Sequence, residues 1–361
     1  MARVLVLTAS VGEGHDLPAR TLSDQLRAEA PDVEVVVEDG LRAMGRAFVL
    51  VNEQAPGVVF HRLQWLWDAS FWLFVGFAPT RRVTQMLVRL VGTRGVLRLV
   101  RSVRPDVVVS VYPMTTEVLA GLRRSGRLDV PVVAAITDLA MMHYWTAPGI
   151  DLNLVIHPES YDEVREVAGH DARVEAVHGL TRPEFLHPRA GGDARAALGL
   201  PADGKVVVVS GGGWGVGDLG TAAAAALELP EVVLVACLCG RNERVRRALE
   251  LRFADEPRVR VLGFTDEIGD WLAAADALVH STGGLTVYEA YVRGCPTISY
   301  GWGRGHIRAH NAAFLRHGIA DVATTRRELR QALCRALAER RPPGLDLASL
   351  PSAASLVLSL A

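Results

Sequence analysis

VLVLTASVGEGHDLPARTL, residues 4–22, joins an apolar run to a helix-forming one through Ser10-Val11-Gly12-Glu13-Gly14-His15. Residues 4–7 are continuously apolar, as in a strand buried on both faces of a parallel sheet. Residues 17–30 carry the spacing of a helix. Strand, glycine turn and helix form the opening unit of a doubly wound α/β domain, and the turn sets a histidine beside the strand's C-terminal end, where such sheets bind ligands. A histidine there can cap or pack the helix start, or it can titrate against a ligand. Local pattern does not choose between these roles.

The same unit recurs. Apolar runs at 33–37, 107–111, 132–136, 153–156 and 174–177 alternate with helical stretches at 58–103, 115–125 and 160–168. The rhythm restarts at Lys205 with KVVVVS, followed by Gly211-Gly212-Gly213-Trp214-Gly215-Val216-Gly217 and an alanine-rich helix. Further strands are expected at 232–238, 259–262, 277–280 and 297–299, with helices at 243–253, 268–274, 286–293, 309–316 and 326–340. This predicts two α/β domains in tandem, residues 1–185 and 200–340, joined through a Pro-, Gly- and Ala-rich stretch. A tail, 341–361, can add a last helix. A chain of 361 residues is long enough for both cores.

Composition narrows the class. Half the residues are hydrophobic and 22% are charged, which suits folded domains rather than a disordered chain. The formal net charge of -1 gives no global attraction for nucleic acid. Four cysteines show neither zinc spacing nor a disulfide framework, and a reducing, cytoplasmic compartment is expected. No apolar run is long enough for a transmembrane helix, and the N-terminus does not read as a signal peptide.

Two glycine clusters lie at expected strand ends. Ser210-Gly211-Gly212-Gly213 can bring backbone N–H groups and a helix N-terminus to a phosphate, or can simply be a tight turn. It is not a Walker loop, because no Gly-Lys-Ser/Thr follows. Ser281-Thr282-Gly283-Gly284-Leu285-Thr286 again links a strand to a helix. Glu289 stands one turn further on, where a carboxylate can accept from a ribose diol or favour the helix N-terminus.

Several segments, in order, resemble the GT-B glycosyltransferases, and within them the group of MurG and the monogalactosyl- and glucosyl-diacylglycerol synthases. They are the opening VLVLTASVGEGH, Ala135-Ile136-Thr137-Asp138 with His143 and Trp145 beyond, and Gly179-Leu180-Thr181-Arg182-Pro183. Cys239-Gly240-Arg241-Asn242, Gly263-Phe264-Thr265 with Trp271, and the run from Ser281 to Glu289 complete the set. The resemblance implies two Rossmann-like domains facing a central cleft, the first for the acceptor and the second for a nucleotide-sugar. It implies an inverting transfer in which His15 or Asp138 serves as base, with His143 a further candidate. Donor contacts fall on Gly14, Gly211, Gly212, Gly213, Arg241, Gly263, Phe264, Thr265, Ser281, Thr282, Gly283, Gly284, Leu285, Thr286, Glu289, Arg308 and Asn311. The donor expected is a UDP-sugar. No Asp-x-Asp pair is present, so neither metal nor other cofactor is expected, and loop N–H groups with Arg241 would meet the diphosphate charge. Arg241 can equally be a surface residue before a basic helix. One departure concerns the sugar: Arg308 and His306 occupy the stretch before Asn311 where relatives carry a carboxamide or carboxylate.

Residues 58–104 combine Trp65, Trp67, Phe71, Trp72, Phe74 and Phe77 with Arg81, Arg82, Arg89, Arg94, Arg98, Arg101 and Arg104. Aromatic and apolar groups beside arginines suit contact with an anionic membrane surface, or a buried face with solvated arginines. The expected enzyme is peripheral on the inner face of the cell membrane. Its expected acceptor is a lipid such as diacylglycerol, with no nucleic-acid partner. The alternatives are transfer to a hydrophobic secondary metabolite, a sugar-nucleotide 2-epimerase, and a non-catalytic sugar-nucleotide sensor.

Overall fold

A computed structural model describes residues 2–9, 13–50, 71–281, 284–301, 303, 305–338 and 342–361. The chain divides into two compact units, Met1–Arg182 with Arg304–His306 and Ser349–Ala361, and Pro183–Gly303 with Ile307–Ala348.

In the first unit, β1 (Arg3–Thr8), β2 (Glu34–Asp39), β3 (Val107–Ser110), β4 (Val132–Ile136), β5 (Leu152–Val155) and β6 (Val174–Ala176) form one sheet in the order β2-β1-β3-β4-β5-β6. Every pairing is parallel. The valine- and leucine-rich strands β1, β3 and β4 sit centrally, where both faces are covered and continuous β-branched runs pack best. The chain runs outward from β1 to β2, then returns across β1 to β3. That reversal places the crevice for a ligand between the C-terminal ends of β1 and β3.

The second unit repeats the plan with β7 (Lys205–Ser210), β8 (Val232–Leu238), β9 (Val259–Leu262), β10 (Ala277–His280), β11 (Thr297–Tyr300) and β12 (Asp321–Ala323), ordered β12-β11-β10-β7-β8-β9. Its reversal lies between β7 and β10. Strands β7 to β10 coincide with the expected ones. The three-residue edge strand β12 was not expected, because so short a segment carries no periodicity.

The first helix departs from expectation. It spans Glu13–Glu29, so Gly14 and His15 belong to its first turn and not to a loop. Pro18 lies inside it, lacks an N–H, and so frees the Gly14 carbonyl four residues back. Thr137 Oγ1, just past β4, donates to that carbonyl at 3.4 Å.

Of the long helix expected over 58–103, residues 58–70 lie outside the described residues. The described α-helix spans Ala78–Val103, with Pro79 in its first turn, and is preceded by a π-turn at Trp72–Gly76. Val88, Gly92, Val96, Leu97 and Val100 form its buried face. The tail contributes the helix Ala353–Leu358, which joins the first unit. His178 N–H donates to Pro351 O at 3.1 Å, and Ala353 N–H donates to His178 O at 3.0 Å.

His280 closes β10 fully buried, and burial pushes its pKa down to about 4. The unfolded chain takes a proton on this side chain near pH 6.5 and the folded chain does not. Stability from this residue is therefore complete above pH 6.5 and falls as pH drops toward 4, by up to about 3 kcal/mol. Urea unfolding of wild type and His280→Gln at pH 7 and pH 4.5 checks this. The variant should show the shallower pH dependence, and equal slopes would refute the assignment.

Candidate active site

His15 stands at the crevice of the first sheet. Its Nδ1 lies 3.1 Å from the carbonyl of Val111, immediately beyond β3. A carbonyl only accepts, so Nδ1 carries the proton and Nε2 of the neutral ring is left as an acceptor, the tautomer a general base needs. Tyr112 meets the ring edge-on at 4.9 Å between centroids, and Trp145 lies tilted at 5.6 Å. Desolvation by these neighbours lowers the His15 pKa, while the Asp138 carboxylate, and more weakly Asp16, pull it back upward. Asp16 is held by Thr8 Oγ1 at 3.0 Å. Asp138 is fixed by the Trp145 indole N–H, which donates to Oδ2 at 2.9 Å. The structure thus gathers His15 and Asp138 at the ends of β1, β3 and β4, and each is oriented by a separate partner.

His143 stands apart from that pair. Its charged neighbours are Arg81, Glu163 and Glu166, and its pKa is lowered by burial and then by Arg81. No contact joins it to His15 or Asp138 among the described residues. Among the described residues nothing lies within 4 Å of a Cβ placed on Gly14, which precedes His15 in the first unit.

The segment ahead of the long helix is apolar and outward-facing. Trp72 is 62% exposed, and Phe74 and Phe77 are also exposed. Along the helix, Val83, Met86, Leu87, Leu90 and Val91 follow as exposed apolar residues, with Leu90 at 71%. Arg82 is exposed, whereas Arg81 folds back toward the carbonyls of Val75 at 3.3 Å and Gly76 at 3.4 Å. Phe71 is half-buried. Trp65 and Trp67 lie outside the described residues.

In the second unit the loops after β7, β8 and β10 interlock. Arg241 N–H donates to Gly213 O at 2.9 Å, and Asn242 Nδ2 donates to Trp214 O at 3.3 Å. Asn242 Oδ1 accepts from Val245 N at 3.1 Å and caps the helix Glu243–Arg252. Gly240 has φ 55°, and a Cβ there would lie 2.4 Å from the carbonyl oxygens of both Gly212 and Gly213. A Cβ on Gly217 would lie 2.2 Å from Ser281 Oγ.

This packing corrects one expectation. Gly211 N–H donates to Leu238 O at 3.2 Å, and Gly212 N–H donates to Ser210 Oγ at 3.2 Å. Those two donors are turned into the fold and are not offered to a phosphate. The glycines at 211–213 and 240 let two loops touch, a demand that sequence cannot separate from close approach of a ligand.

The described part of the loop after β10 leads into a helix N-terminus. Gly284, with φ 75°, has nothing near its Cβ position among the described residues and caps the helix Leu285–Val292. The backbone N–H groups of that helix start have the polarity to receive an anion. Ser281 and Thr286 are half-buried and Leu285 is buried, while Thr282 and Gly283 lie outside the described residues. Glu289 is buried one turn on, 3% exposed. Arg241 lies over the Phe264 ring at 4.0 Å, a cation–π pair at the end of β9 that includes the Gly263-Phe264-Thr265 segment. Thr265 Oγ1 accepts from Glu267 N at 3.1 Å.

Beyond β11, Asn311 is buried on the helix His306–His317, and among the described residues its Oδ1 finds no hydrogen-bond partner. A buried amide oxygen in that condition suits a ligand hydroxyl. Arg308 is exposed, with Nε 3.4 Å from Gly303 O. Among the described residues no group of three or more His, Cys, Asp or Glu side chains could hold a metal ion.

Sequence reasoning missed the Val111 carbonyl and the Tyr112 wall. Their only sequence signal was a position at the end of the strand expected over 107–111, in the same domain as the histidine.

The monogalactosyldiacylglycerol (MGDG) synthase family matches residues 17–180. The processive diacylglycerol beta-glucosyltransferase of Bacillus subtilis is 24% identical over 343 residues, covering 93% of this chain and 87% of the relative. Its namesake from Staphylococcus aureus is 22% identical, covering 90% and 82%. Among solved structures, a spinosyn rhamnosyltransferase complexed with thymidine diphosphate superposes with a TM-score of 0.62 at 16% identity, covering 100% of both chains. MurG of Acinetobacter baumannii gives 0.61 at 16% identity, covering 100% of this chain and 99% of the other.

Proposed function

We propose that the chain, which resembles the MurG and diacylglycerol glycosyltransferase group in sequence and shares its fold, is a GT-B glycosyltransferase that moves a sugar, with inversion, from a UDP-sugar to a diacylglycerol-class lipid at a membrane surface. The observation that carries the lipid half is the set of exposed apolar residues between Trp72 and Val91, beside the exposed Arg82 and Arg94. So large an exposed apolar patch marks a membrane or partner surface. Relatives named for diacylglycerol support the same acceptor. Among the described residues no helix is long and apolar enough to cross a membrane, so the contact proposed is interfacial.

His15 Nε2 takes the proton of the acceptor hydroxyl as its oxygen attacks the anomeric carbon. The C–O bond to the donor diphosphate breaks as the new one forms on the opposite face. Asp138 stabilises the imidazolium that results. Glu289 accepts from the ribose hydroxyls, and the Arg241–Phe264 pair borders the base. The N-terminus of the helix Leu285–Val292, with Arg241, meets the charge that grows on the leaving diphosphate. Asn311 Oδ1 accepts from a sugar hydroxyl. In this scheme no divalent cation is required, and turnover should be the same with and without a chelator.

Two measurements test the reading. Thermal unfolding with UDP, dTDP or GDP should show a rise in Tm for UDP above the others. No rise with any nucleotide would remove the donor assignment. Changing Leu87 and Leu90 to Asp should cut partitioning onto phosphatidylglycerol-containing vesicles about a hundredfold, since two side chains lose apolar burial. Undiminished partitioning would place the lipid contact elsewhere.

A further inference from the structure

The short helix Met142–Trp145 touches both the exposed apolar segment and the His15–Asp138 pair. It begins at Met141, a non-glycine residue with φ 69°, a backbone conformation that persists only when its surroundings enforce it. Glu163 supplies that enforcement, with Oε1 accepting from Met141 N at 3.0 Å and Met142 N at 3.2 Å. On the outer side, the Tyr144 hydroxyl donates to the carbonyl of Phe74 at 3.1 Å, within the exposed π-turn. Gln85, on the long helix, donates to His143 O at 2.7 Å and to Glu117 Oε2 at 3.1 Å. On the inner side, the buried Trp145 holds Asp138 and lies against the His15 ring. Four consecutive residues therefore contact the surface segment at one position and the candidate base at the next.

We propose that Tyr144 is a positioning residue that couples contact of the Trp72–Gly76 turn with a lipid surface to the orientation of Asp138 and His15. Seating the turn among acyl chains fixes the Phe74 carbonyl. The Tyr144 hydroxyl and the Gln85 amide then hold the short helix, and Trp145 holds Asp138 in place. The base is set for reaction when the acceptor's own surface is present. The idea rests on the reading of His15 and Asp138 as reacting groups, but the surface coupling is testable apart from it.

Amide hydrogen exchange of the full chain reads the coupling directly. Adding vesicles of phosphatidylcholine and phosphatidylglycerol to wild type should slow exchange at 142–146 about tenfold, alongside protection of 72–77. Tyr144→Phe should keep the protection at 72–77 and lose it at 142–146, with Tm unchanged. Gln85→Met, a second variant that retains the tyrosine, should lose part of it. Protection at 72–77 without any change at 142–146 in wild type would overturn the coupling, as would equal protection in wild type and both variants, or no vesicle-induced protection at all. Turnover of UDP-glucose on dioleoylglycerol vesicles separates the two claims. An active His15→Ala would remove the base assignment while leaving the exchange result standing.

Discussion

Replacing His15 with alanine is expected to lower turnover about a thousandfold, the range that a positioned general base contributes. Nucleotide affinity should stay nearly unchanged, because the donor-loop residues and His15 belong to different units of the chain. The expected loss is thus in kcat and equally in kcat/KM, the signature of an interaction made in the transition state. The wild-type pH profile supplies a second check. Desolvation holds His15 below the ordinary 6.5 even with Asp138 nearby. The base is therefore neutral at pH 7, and activity should fall only as pH drops below 6.5. Asp138→Asn should move that acid limb further down, since the carboxylate is the main influence raising the histidine's pKa. Unchanged turnover in His15→Ala would take the residue out of the mechanism.

Replacing Glu289 acts on the other substrate. The carboxylate is buried, and as a ribose acceptor it would make charge-assisted hydrogen bonds worth about 1.5–3 kcal/mol each. Glu289→Ala should weaken UDP binding about a hundredfold by calorimetry, and Glu289→Gln, which keeps the shape, about tenfold. A fold defect would appear as a lowered Tm without ligand. A gain of affinity on neutralising the carboxylate would show that it repels the diphosphate and does not hold the ribose. Equal affinity in all three proteins would assign Glu289 to packing alone.

The parts of this fold legible in the sequence are those that burial on both faces dictates. Strands β3, β4, β7 and β8 are valine-rich apolar runs whose charged or hydroxyl residues fall only at their ends, and few other structures tolerate them. What sequence hid was tertiary. Gly12 and Gly14 read as a turn before a helix at 17–30, yet the helix spans Glu13–Glu29, and Thr137, more than a hundred residues away, donates to the carbonyl that Pro18 frees. Gly211 and Gly212 read as phosphate glycines, and the structure shows their N–H groups bonded within the fold. His143 and Trp145 share one short helix, but the indole and not the imidazole reaches Asp138. Side-chain direction on a four-residue helix depends on its anchoring, here by Glu163, Gln85 and Tyr144, and no periodicity encodes that.

The most direct measurement gives purified full-length protein UDP-glucose labelled in the sugar and phosphatidylglycerol vesicles carrying dioleoylglycerol, then follows label in the extracted lipid. A glucosylated diacylglycerol of inverted, β anomeric configuration is expected, formed with chelator present and reduced about a thousandfold when His15→Ala replaces the wild type. Release of label only as free glucose or as an epimerised nucleotide-sugar, with none in lipid, would contradict it.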